Sequence, residues 1–395
     1  MQVLVLNSGS SSLKFQLFSM PEESILCSGI IERIGLNDAI FKFKTDKDTI
    51  EIVKAIPNHK VALELLSLQL LNKNTGIIKS TDAIHIVGHR VVHGGKHFTA
   101  TTEIIPVVKD KIRALSSLAP LHNPANLEGI EVAEDIFPKA KQVAVFDTAF
   151  HQSIPKHAYK YAIPNEYLDK YNIRLYGFHG TSHKYVSEKA IAYLGKKNSK
   201  IITIHLGNGC SMTAIKDGKS IDHSLGFSPV SGLIMGTRSG DIDPSIIFYL
   251  AEKYDYSLTE INTLLQKKSG MLGLTGYSDL RDIEAQAKKG NKNCQLALEM
   301  NVYRIKKYIG SYTAVLNGLD AIVFTAGIGE NSQFIRQHVC ENLDFLGIEL
   351  DVEKNNLISK RLKAIHTETS KVKILVIPTN EELEIAKQAV ALLKK

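Results

Sequence analysis

The sequence predicts an α/β protein of two duplicated domains, each built on a mixed β-sheet flanked by helices. A strand-turn-strand pattern supports this fold class because it occurs twice. Residues 3–18 read VLVLNSGSSSLKFQLF, and residues 201–215 repeat the plan as IITIHLGNGCSMTAI about half a chain length later. In both halves strand patterns then alternate with helix patterns, which is typical of helix-flanked sheets.

Both hairpins have turns that suit an anion. Small residues let backbone N–H groups approach a phosphate closely, and the serine hydroxyls and Lys14 of the first hairpin add donors and positive charge. On its own, the first hairpin fits a phosphate cradle and an ordinary serine-rich turn about equally well. The matching second hairpin favours a polyphosphate held between two related domains.

Length and composition indicate an ordinary globular protein. The chain of 395 residues is long enough for two or three domains, and 44% hydrophobic with 23% charged residues is a typical balance. The 48 basic and 41 acidic residues give a net charge of +7 without a basic run. This excess suits a small anionic substrate and argues against nucleic acid as a partner.

Cysteine usage and hydropathy bear on location. The four cysteines are far apart and show no CxxC spacing, which favours free thiols in a reducing cytoplasm over disulfides or a zinc site. The first residues already form a strand pattern, and no apolar run approaches the ~18 residues of a membrane span. The sequence therefore predicts neither a signal peptide nor a membrane partner.

The first half continues with strands at residues 25–34 and 39–43 and a leucine-rich helix at 61–71. Residues 84–95 (IHIVGHRVVHGG) predict a buried strand that runs into a glycine turn. Histidines recur every fourth residue there, as on a metal-binding helix face, but the β-branched residues and paired glycines favour extended chain. Asn123 as N-cap and Pro124 begin a helix.

A central strand at residues 142–150 carries Asp147 at its end. An acid at the carboxyl end of such a strand is where α/β sheets place chemistry, although a helix cap is the alternative. Pro155 and Pro164 bracket the crossing into the second half.

The second half contains GFHGTSH (177–183) before a helix, the polar loop MGTRSGDIDP (235–244) and a capping box at Ser257 and Glu260. A helix from 293 to about 316 leads to a strand at 321–324. The segment TAGIGENS (325–332) follows directly and predicts another phosphate or nucleoside turn. A last strand spans 372–377, and Asn380 begins a final helix that runs to 393.

Two common nucleotide motifs are absent. Gly218-Lys219-Ser220 resembles the end of a P-loop, but Thr213 stands where its first glycine should be. Residues 327–329 are only a fragment of GxGxxG, since Ser332 replaces the third glycine. Neither a P-loop NTPase nor a Rossmann dehydrogenase is favoured.

The remaining inventory is the one that phosphoryl transfer requires: glycine turns for the phosphates, oxygen ligands for Mg²⁺, and cations for the migrating group. Arg90 and Arg238 both lie beside glycines. Each alone fits a structural ion pair. Together with the hairpins they are better interpreted as a clamp that grips a carboxylate and a phosphoryl group bidentately.

Seven motifs make the chain resemble the acetate kinase family, within the superfamily of sugar kinases, actin and ATP-dependent chaperones. With Glu381, they extend over nearly the full length of the chain. They are NSGSSSLK (7–14), GHRVVHGG (88–95), DTAF (147–150), FHGTSH (178–183), HLGNG (205–209), MGTRSGD (235–241) and GIGEN (327–331).

The resemblance implies an actin-like ATPase or ribonuclease H-like fold with the active site in the interdomain cleft. It implies a first domain of residues 1–150 with 382–395, which holds the phosphate hairpin, the acetate site and a returning helix. Residues 151–381 are implied to bind the nucleotide and to form a homodimer. Closure of the domains is expected to exclude water.

The implied reaction is reversible, Mg²⁺-dependent in-line transfer of the γ-phosphoryl group of ATP to acetate, giving acetyl phosphate and ADP, with Mn²⁺ as a substitute metal. Asp147, His179 and Arg238 are implied to be catalytic, and Asn7 and Glu381 to serve the metal. His179 and Arg238 would stabilise the transition state. Acetate is already ionised at neutral pH, so positioning or metal contact fits Asp147 better than a general-base role.

Substrate residues also follow from the resemblance. Arg90 is implied to hold the acetate carboxylate, and Val92, Leu121, Phe178 and Pro229 to surround the methyl group. Such a pocket discriminates one methylene by only about 1–3 kcal/mol, so we expect propionate to be a slower substrate. The implied ATP-binding residues are Lys14, His205, Leu206, Gly207, Asn208, Gly209, Asp279, Leu280, Arg281, Gly327, Ile328, Gly329, Glu330 and Asn331.

Two alternatives stay open. A propionate or butyrate kinase would use the same machinery. An actin-like or chaperone-like ATP-binding module is a remote alternative, since it does not need Arg90 and Arg238 at a carboxylate pocket. Cys210 fits a reactive thiol or, more readily, a small buried filler.

Overall fold

The structure is a computed structural model that describes residues 1–120 and 122–394; Leu121 and Lys395 lie outside the described residues. The chain divides into two compact units, Met1–Phe150 with Asn380–Lys395, and His151–Thr379. Each unit has its own sheet. No helix in the described part of the chain is long and apolar enough to cross a membrane.

The strands of the first unit are β1 (Gln2–Ser8), β2 (Ser12–Ser19), β3 (Ser24–Glu32), β4 (Ala39–Lys44), β5 (Thr49–Lys54), β6 (Ile84–Val91), β7 (Thr102–Glu103) and β8 (Lys141–Phe146). Those of the second unit are β9 (Lys200–Leu206), β10 (Cys210–Lys216), β11 (Lys219–His223), β12 (Ala321–Thr325), β13 (Lys363–Ala364) and β14 (Lys373–Val376).

The helices of the first unit are α1 (His59–Leu70), α2 (Pro106–Ala114), α3 (Asn123–Ile136) and α15 (Glu381–Leu393). Those of the second unit are α4 (Lys156–Tyr159), α5 (Asn165–Asp169), α6 (Gly180–Leu194), α7 (Ser245–Tyr254), α8 (Leu258–Lys267), α9 (Gly270–Thr275), α10 (Leu280–Lys288), α11 (Lys292–Leu316), α12 (Ala326–Asn331), α13 (Gln333–Cys340) and α14 (Val352–Asn356).

The two sheets share a strand order. The first is β5-β4-β3-β2-β1-β6-β8-β7, and the second is β11-β10-β9-β12-β14-β13. In each, three antiparallel strands (β3-β2-β1 and β11-β10-β9) continue into two that run parallel to the third, namely β6 and β8 beside β1, and β12 and β14 beside β9. The first sheet has β4 and β5 as two further antiparallel strands. The predicted fold class, two related mixed sheets flanked by helices, is confirmed.

The core of the first unit lies under its hairpins. Inward side chains of β1, β2 and β4, such as Leu4, Phe15 and Phe41, are fully buried against apolar residues of α1 and α3. Alternation along Ser12–Ser19 buries one side of β2 and leaves Lys14 exposed on the other. This alternation turns the Lys14 ammonium away from the core.

Helix α15 returns the end of the chain to the first sheet. It packs on β1, β6 and β8, and a Cβ at Gly88 would lie 2.8 Å from Cγ2 of Ile385, so glycine is needed for this close approach. Asn380 caps the helix by accepting from the N–H of Leu383. Glu381, in the first turn, is thereby placed beside the end of β6.

One local prediction needed correction. Asn123 is the first residue of α3, and His122 occupies the cap position. The Asn123 amide instead exchanges two hydrogen bonds with the backbone of His93, which fixes the glycine turn after β6. Gly218 lies in the turn between β10 and β11, and Ser220 on β11 is buried, in keeping with the rejection of a P-loop there.

His89 predicts a pH dependence of stability. It is buried on β6 with Nε2 2.8 Å from Oε1 of Gln142, and burial lowers its pKa from 6.5 to about 4. Between these values the unfolded chain binds a proton that the folded chain does not, so stability falls as pH decreases. Of the loss between pH 7 and pH 5, we expect about 2 kcal/mol to come from His89.

Urea unfolding of His89→Gln at the two pH values measures this contribution. The variant should lose less stability than the parent, and the exposed His97→Gln should behave like the parent. An equal loss in His89→Gln and the parent would contradict the assignment.

Candidate active site

An arginine–carboxylate pair lies at the ends of two parallel strands in the first unit. Nε of Arg90 lies 3.1 Å from both carboxylate oxygens of Asp147, and Nη2 lies 2.6 Å from Oδ2. The Asp147 N–H donates to the carbonyl of Val91, which fixes the strand ends relative to each other. Asp147 is buried and Arg90 is 21% exposed at its side chain. The pair is bidentate, a geometry that holds the guanidinium plane in one orientation.

Further polar groups of this unit surround the pair. Nη1 of Arg90 donates to Oδ1 of Asn7 at 3.3 Å. Burial alone would lower the pKa of Arg90, but the charges of Asp147, Glu381 and Glu382 outweigh it and raise that pKa. Burial raises the pKa of Glu381, although Arg90 acts against this. The site therefore gathers three carboxylates near the Arg90 guanidinium.

The oxygen atoms gathered here suit Mg²⁺. Asn7 offers an amide oxygen, and Glu381 and Asp147 offer carboxylates near the same guanidinium. Within residues 1–120 and 122–394, no group of three or more His, Cys, Asp or Glu side chains forms a complete metal site. Mg²⁺ usually takes only one or two carboxylates and completes its shell with water and substrate phosphates, so this donor set fits it.

Lys14 has a partner that the sequence did not indicate. Its Nζ lies 2.5 Å from Oε1 of Glu382, a residue 8% exposed at its side chain. Lys14 lies opposite Asn7 in the β1–β2 register, so the ammonium is held at the turn of the first hairpin.

In the second unit, His179 and Arg238 meet at one glycine. A Cβ built on Gly209 would lie 3.3 Å from Nε2 of His179 and 3.6 Å from Nη1 of Arg238. His179 adopts a left-handed conformation (φ 55°) directly before α6, and its ring stacks on that of His205 with centroids 4.5 Å apart. The turn of the second hairpin therefore brings two predicted catalytic side chains together.

Arg238 differs from Arg90 in its surroundings. Its Nη1 donates to the carbonyl of Pro229 at 2.9 Å, and burial lowers its pKa although Cys210 nearby acts in the opposite sense. Among the ion pairs of the described residues, none involves Arg238. A guanidinium without a counterion is available to an incoming anion.

The residues predicted to surround the acetate methyl group are divided between the units. Val92 is buried in the first, and Phe178 and Pro229 belong to the second, with Phe178 buried. Leu121 lies outside the described residues. Val92 is positioned by a hydrogen bond from its N–H to Oδ1 of Asn126.

A cavity of about 850 Å³ in the second unit collects most of the predicted ATP-binding residues. Its lining also includes Met235, Met271, Ser278 and Asn301, which the sequence did not single out. The predicted residues in the lining are Leu206, Gly207, Asn208, Asp279, Leu280, Arg281, Gly327, Ile328 and Asn331. His205, Gly209, Gly329 and Glu330 lie next to them in the chain but outside the lining, and Lys14 belongs to the first unit.

Helix α12, directly after β12, forms one wall of the cavity. Ala326 has a left-handed φ of 65°, an unusual conformation for a residue with a side chain. The buried guanidinium of Arg336 donates to the carbonyls of Gly329 and Glu330 at 2.9 Å, and Oε1 of Glu330 accepts from the N–H of Thr379. Arg336 therefore fixes the backbone of α12 through these hydrogen bonds.

The rim of the cavity carries Asp279 and Arg281. Asp279 caps α10 and pairs with Arg281 at 2.6 Å, and hydrogen bonds from Arg281 lower its pKa to about 2. Cys210, also in the lining, is buried, and burial raises its pKa to about 12. Its thiol is therefore a filler rather than a nucleophile.

A second cavity of about 650 Å³ lies beyond Glu284, between α10, α11 and α13. Its lining contains none of the predicted site residues.

Two sheets of one strand order, with a glycine-lined cavity and an arginine–carboxylate pair at strand ends, define a phosphotransferase of the actin-like ATPase fold. The model of the acetokinase family matches residues 2–387, and the chain belongs to this family.

Relatives of known structure or name cover the whole chain. An acetate kinase of Flavobacterium johnsoniae is 63% identical over 394 residues, which is 100% of both chains. The crystal structure of Porphyromonas gingivalis acetate kinase superposes with a TM-score of 0.94 at 45% identity, covering 99% of each chain. A propionate kinase from Francisella tularensis gives 0.92 at 46% identity, again over 99% of each chain.

Gly236→Ala should weaken ATP binding without unfolding the protein. The added Cβ would lie 2.0 Å from Oδ1 of Asn208, an exposed side chain that can swing aside but would then leave the cavity wall. Calorimetric titration with ATP should show affinity reduced about tenfold or more, as expected for the loss of one well-placed polar contact.

Gly310→Ala is the matched control, because a Cβ there meets nothing within 4 Å. If Gly236→Ala binds ATP as tightly as this control, Asn208 has no part in the nucleotide site.

Proposed function

We propose that the chain is an acetate kinase that transfers the γ-phosphoryl group of ATP to acetate in line and reversibly. The observation that carries the proposal is the donor set of Arg90. Of its five N–H donors, three serve Asp147 and Asn7, and the other two, one on Nη1 and one on Nη2, make no hydrogen bond to the described residues. A partly exposed guanidinium with a donor left on each terminal nitrogen can bind a carboxylate.

The proposal assigns the acceptor acid to the first unit and ATP to the cavity of the second. Arg90 orients the acetate carboxylate, and Asp147 holds the guanidinium in place. His179 and Arg238 donate to the phosphoryl oxygens as charge redistributes during transfer. Asn7 and Glu381 would hold Mg²⁺, with Mn²⁺ as a substitute, and Lys14 would contact the ATP phosphates. The metal, when bound, neutralises phosphate charge.

The decisive experiment is to incubate the protein with ATP, Mg²⁺ and each short carboxylate, and to trap the acyl phosphate with hydroxylamine. Acetyl hydroxamate formed faster than propionyl or butyryl hydroxamate is the expected result. A preference for propionate or butyrate would mean that the longer acid, and not acetate, is the substrate. ATP binding without any acyl phosphate would favour a nucleotide-driven conformational module.

Propionate kinase is the specific second candidate, since a propionate kinase matches the chain over 99% of its length. One methylene changes transition-state binding by about 1–3 kcal/mol, so propionate should react measurably but more slowly.

Arg90→Lys should abolish most acetate turnover while ATP binding is retained. A lysine keeps the charge beside Asp147 but cannot bind two carboxylates through a planar fork. We expect kcat/KM for acetate to fall about 10²–10³-fold, corresponding to about 3–4 kcal/mol. The exposed Arg33→Lys, at a surface ion pair with Asp38, should be neutral. Parallel losses of acetate turnover and ATP binding in Arg90→Lys would indicate damage to the fold instead.

Glu381→Gln should weaken the metal dependence. The amide keeps the shape of the side chain but removes the charge that would attract the cation, so more Mg²⁺ should be needed for half-maximal activity, by about tenfold. Glu353→Gln, also in the first turn of a helix but in the second unit, is the control. An unchanged Mg²⁺ titration would remove Glu381 from the metal site.

The proposal includes a homodimer formed through the second unit. Helix α7 (Ser245–Tyr254) is mostly apolar, yet none of its residues is buried. Soluble monomers rarely leave such a surface uncovered. Its exposed side chains, with those that follow it, are Ile246, Phe248, Tyr249, Tyr254, Tyr256 and Leu258.

Phe248→Ser should raise the dimer dissociation constant at least about tenfold, the usual effect of removing an aromatic anchor. Sedimentation equilibrium checks this, with Ile358→Ser as the control because that side chain is exposed elsewhere. A parent protein that sediments as a monomer would refute the proposal.

We also propose a cytoplasmic location. All four cysteines are free thiols, and each is buried. Free thiols persist in a reducing compartment, which is also where ATP and ADP are available.

A further inference from the structure

A chain of hydrogen bonds leads from the interior of the second unit to His179. Nδ1 of His179 lies 2.8 Å from Oγ of Ser211, and the same oxygen lies 2.8 Å from Nε2 of His183. Nδ1 of His183 in turn lies 2.7 Å from Oγ1 of Thr203. Thr203, His183 and Ser211 are completely buried. Four polar side chains therefore form one continuous chain.

The Thr203 hydroxyl sets the direction in which hydrogen bonds are donated along this chain. In the described part of the protein His183 is its one hydrogen-bond partner, and a buried hydroxyl hydrogen without an acceptor costs about 1–3 kcal/mol. Thr203 therefore donates to Nδ1 of His183. Burial, with His151 and His205 nearby, holds the pKa of His183 well below its usual value, so the ring is neutral and carries its hydrogen on Nε2.

His183 consequently donates to Ser211, whose own hydrogen must go to its other partner, Nδ1 of His179. A neutral imidazole that accepts at Nδ1 carries its hydrogen on Nε2. Nε2 is the ring nitrogen next to Gly209, because a Cβ built on that glycine would lie 3.3 Å from Nε2 and 3.6 Å from Nη1 of Arg238. The positions of the hydrogens in the buried chain thus decide which ring nitrogen of His179 carries hydrogen.

We propose that His183, acting through Ser211, is a positioning residue that fixes neutral His179 in the tautomer with its hydrogen on Nε2. This inference rests on the proposed function, in which His179 stabilises the transferring phosphoryl group. An anionic phosphoryl oxygen requires a donor, and the opposite tautomer would present a lone pair to it. The chain selects the donor without placing another charge in the site.

Two further histidines hold the backbone just before His179. Nε2 of His223 accepts from the N–H of Phe178 at 3.1 Å, and Nε2 of His151 donates to the carbonyl of Phe178 at 2.9 Å. Burial lowers the pKa of both rings, so both are neutral. His223 must therefore carry its hydrogen on Nδ1, the opposite tautomer from the one assigned to His179. His223 therefore provides an internal reference for the opposite tautomer in the same protein.

Ring ¹⁵N spectra of the full-length, histidine-labelled protein test the assignment. His179 and His183 should carry hydrogen on Nε2 and His223 on Nδ1, with the His179 signals identified by their loss in His179→Gln. In Ser211→Ala both ring nitrogens of His179 should move towards a mixture of tautomers. Ser187 is also buried but lies on α6, outside the chain, so Ser187→Ala should leave the His179 signals unchanged.

Hydrogen on Nδ1 of His179 in the parent protein would overturn the proposal, and so would unchanged His179 signals in Ser211→Ala. If Ser211→Ala does not fold, His183→Phe supplies the same comparison, because it keeps a ring and removes both nitrogens.

Kinetics separate this inference from the proposed function. Ser211→Ala should lower kcat about tenfold or more with little change in KM for ATP, since a donor to developing charge is lost. In a His179→Gln background it should change kcat less than about twofold, because glutamine has no tautomer to fix. Equal losses in the two backgrounds overturn the inference. If the tautomers are as expected but His179→Gln retains the parent kcat, the positioning stands and the transition-state role of His179 falls.

Discussion

Three parallel strands in each sheet end at a common edge, and both candidate half-sites are built at these ends. In the first sheet β1, β6 and β8 bring Asn7, Arg90 and Asp147 together. In the second, β9, β12 and β14 lead into the turn at 207–209, the short helix α12 and the segment at 377–379. Parallel pairing makes residues that are 57 positions apart, such as Arg90 and Asp147, neighbours without any other constraint. The antiparallel hairpins add the turns that we propose as phosphate-binding elements.

The two candidate arginines, one in each unit, lie in opposite electrostatic settings. Arg90 is neutralised in advance by Asp147, and removing such a pair from water costs several kcal/mol that only good geometry offsets. Arg238 has a backbone carbonyl as its partner, and burial lowers its pKa. An anion that arrives at Arg238 therefore gains more than one that arrives at Arg90. This difference suits an acceptor that must be oriented at Arg90, while developing phosphoryl charge is stabilised at Arg238.

How much was predictable depended on whether the signal was local. The hairpins, the alternation of elements and the capping of α8 are written in short stretches of sequence, and they were confirmed. Edge strands such as β5 and β7 depend on pairing with distant neighbours and were missed. The partner of Lys14, Glu382, was unpredictable because 368 residues separate them in the chain.

The hydroxyls of Thr203 and Ser211 illustrate a different limit of prediction from sequence. In the sequence they are ordinary strand residues, and only the β9–β10 register and the start of α6 bring them to His183 and His179. Asp147 shows the same dependence on partners. Both of its oxygens accept from Arg90, which places the carboxylate to orient the guanidinium. Since a carboxylic acid substrate reaches the site already ionised, the role we propose for this carboxylate is to hold the Arg90 guanidinium in one orientation.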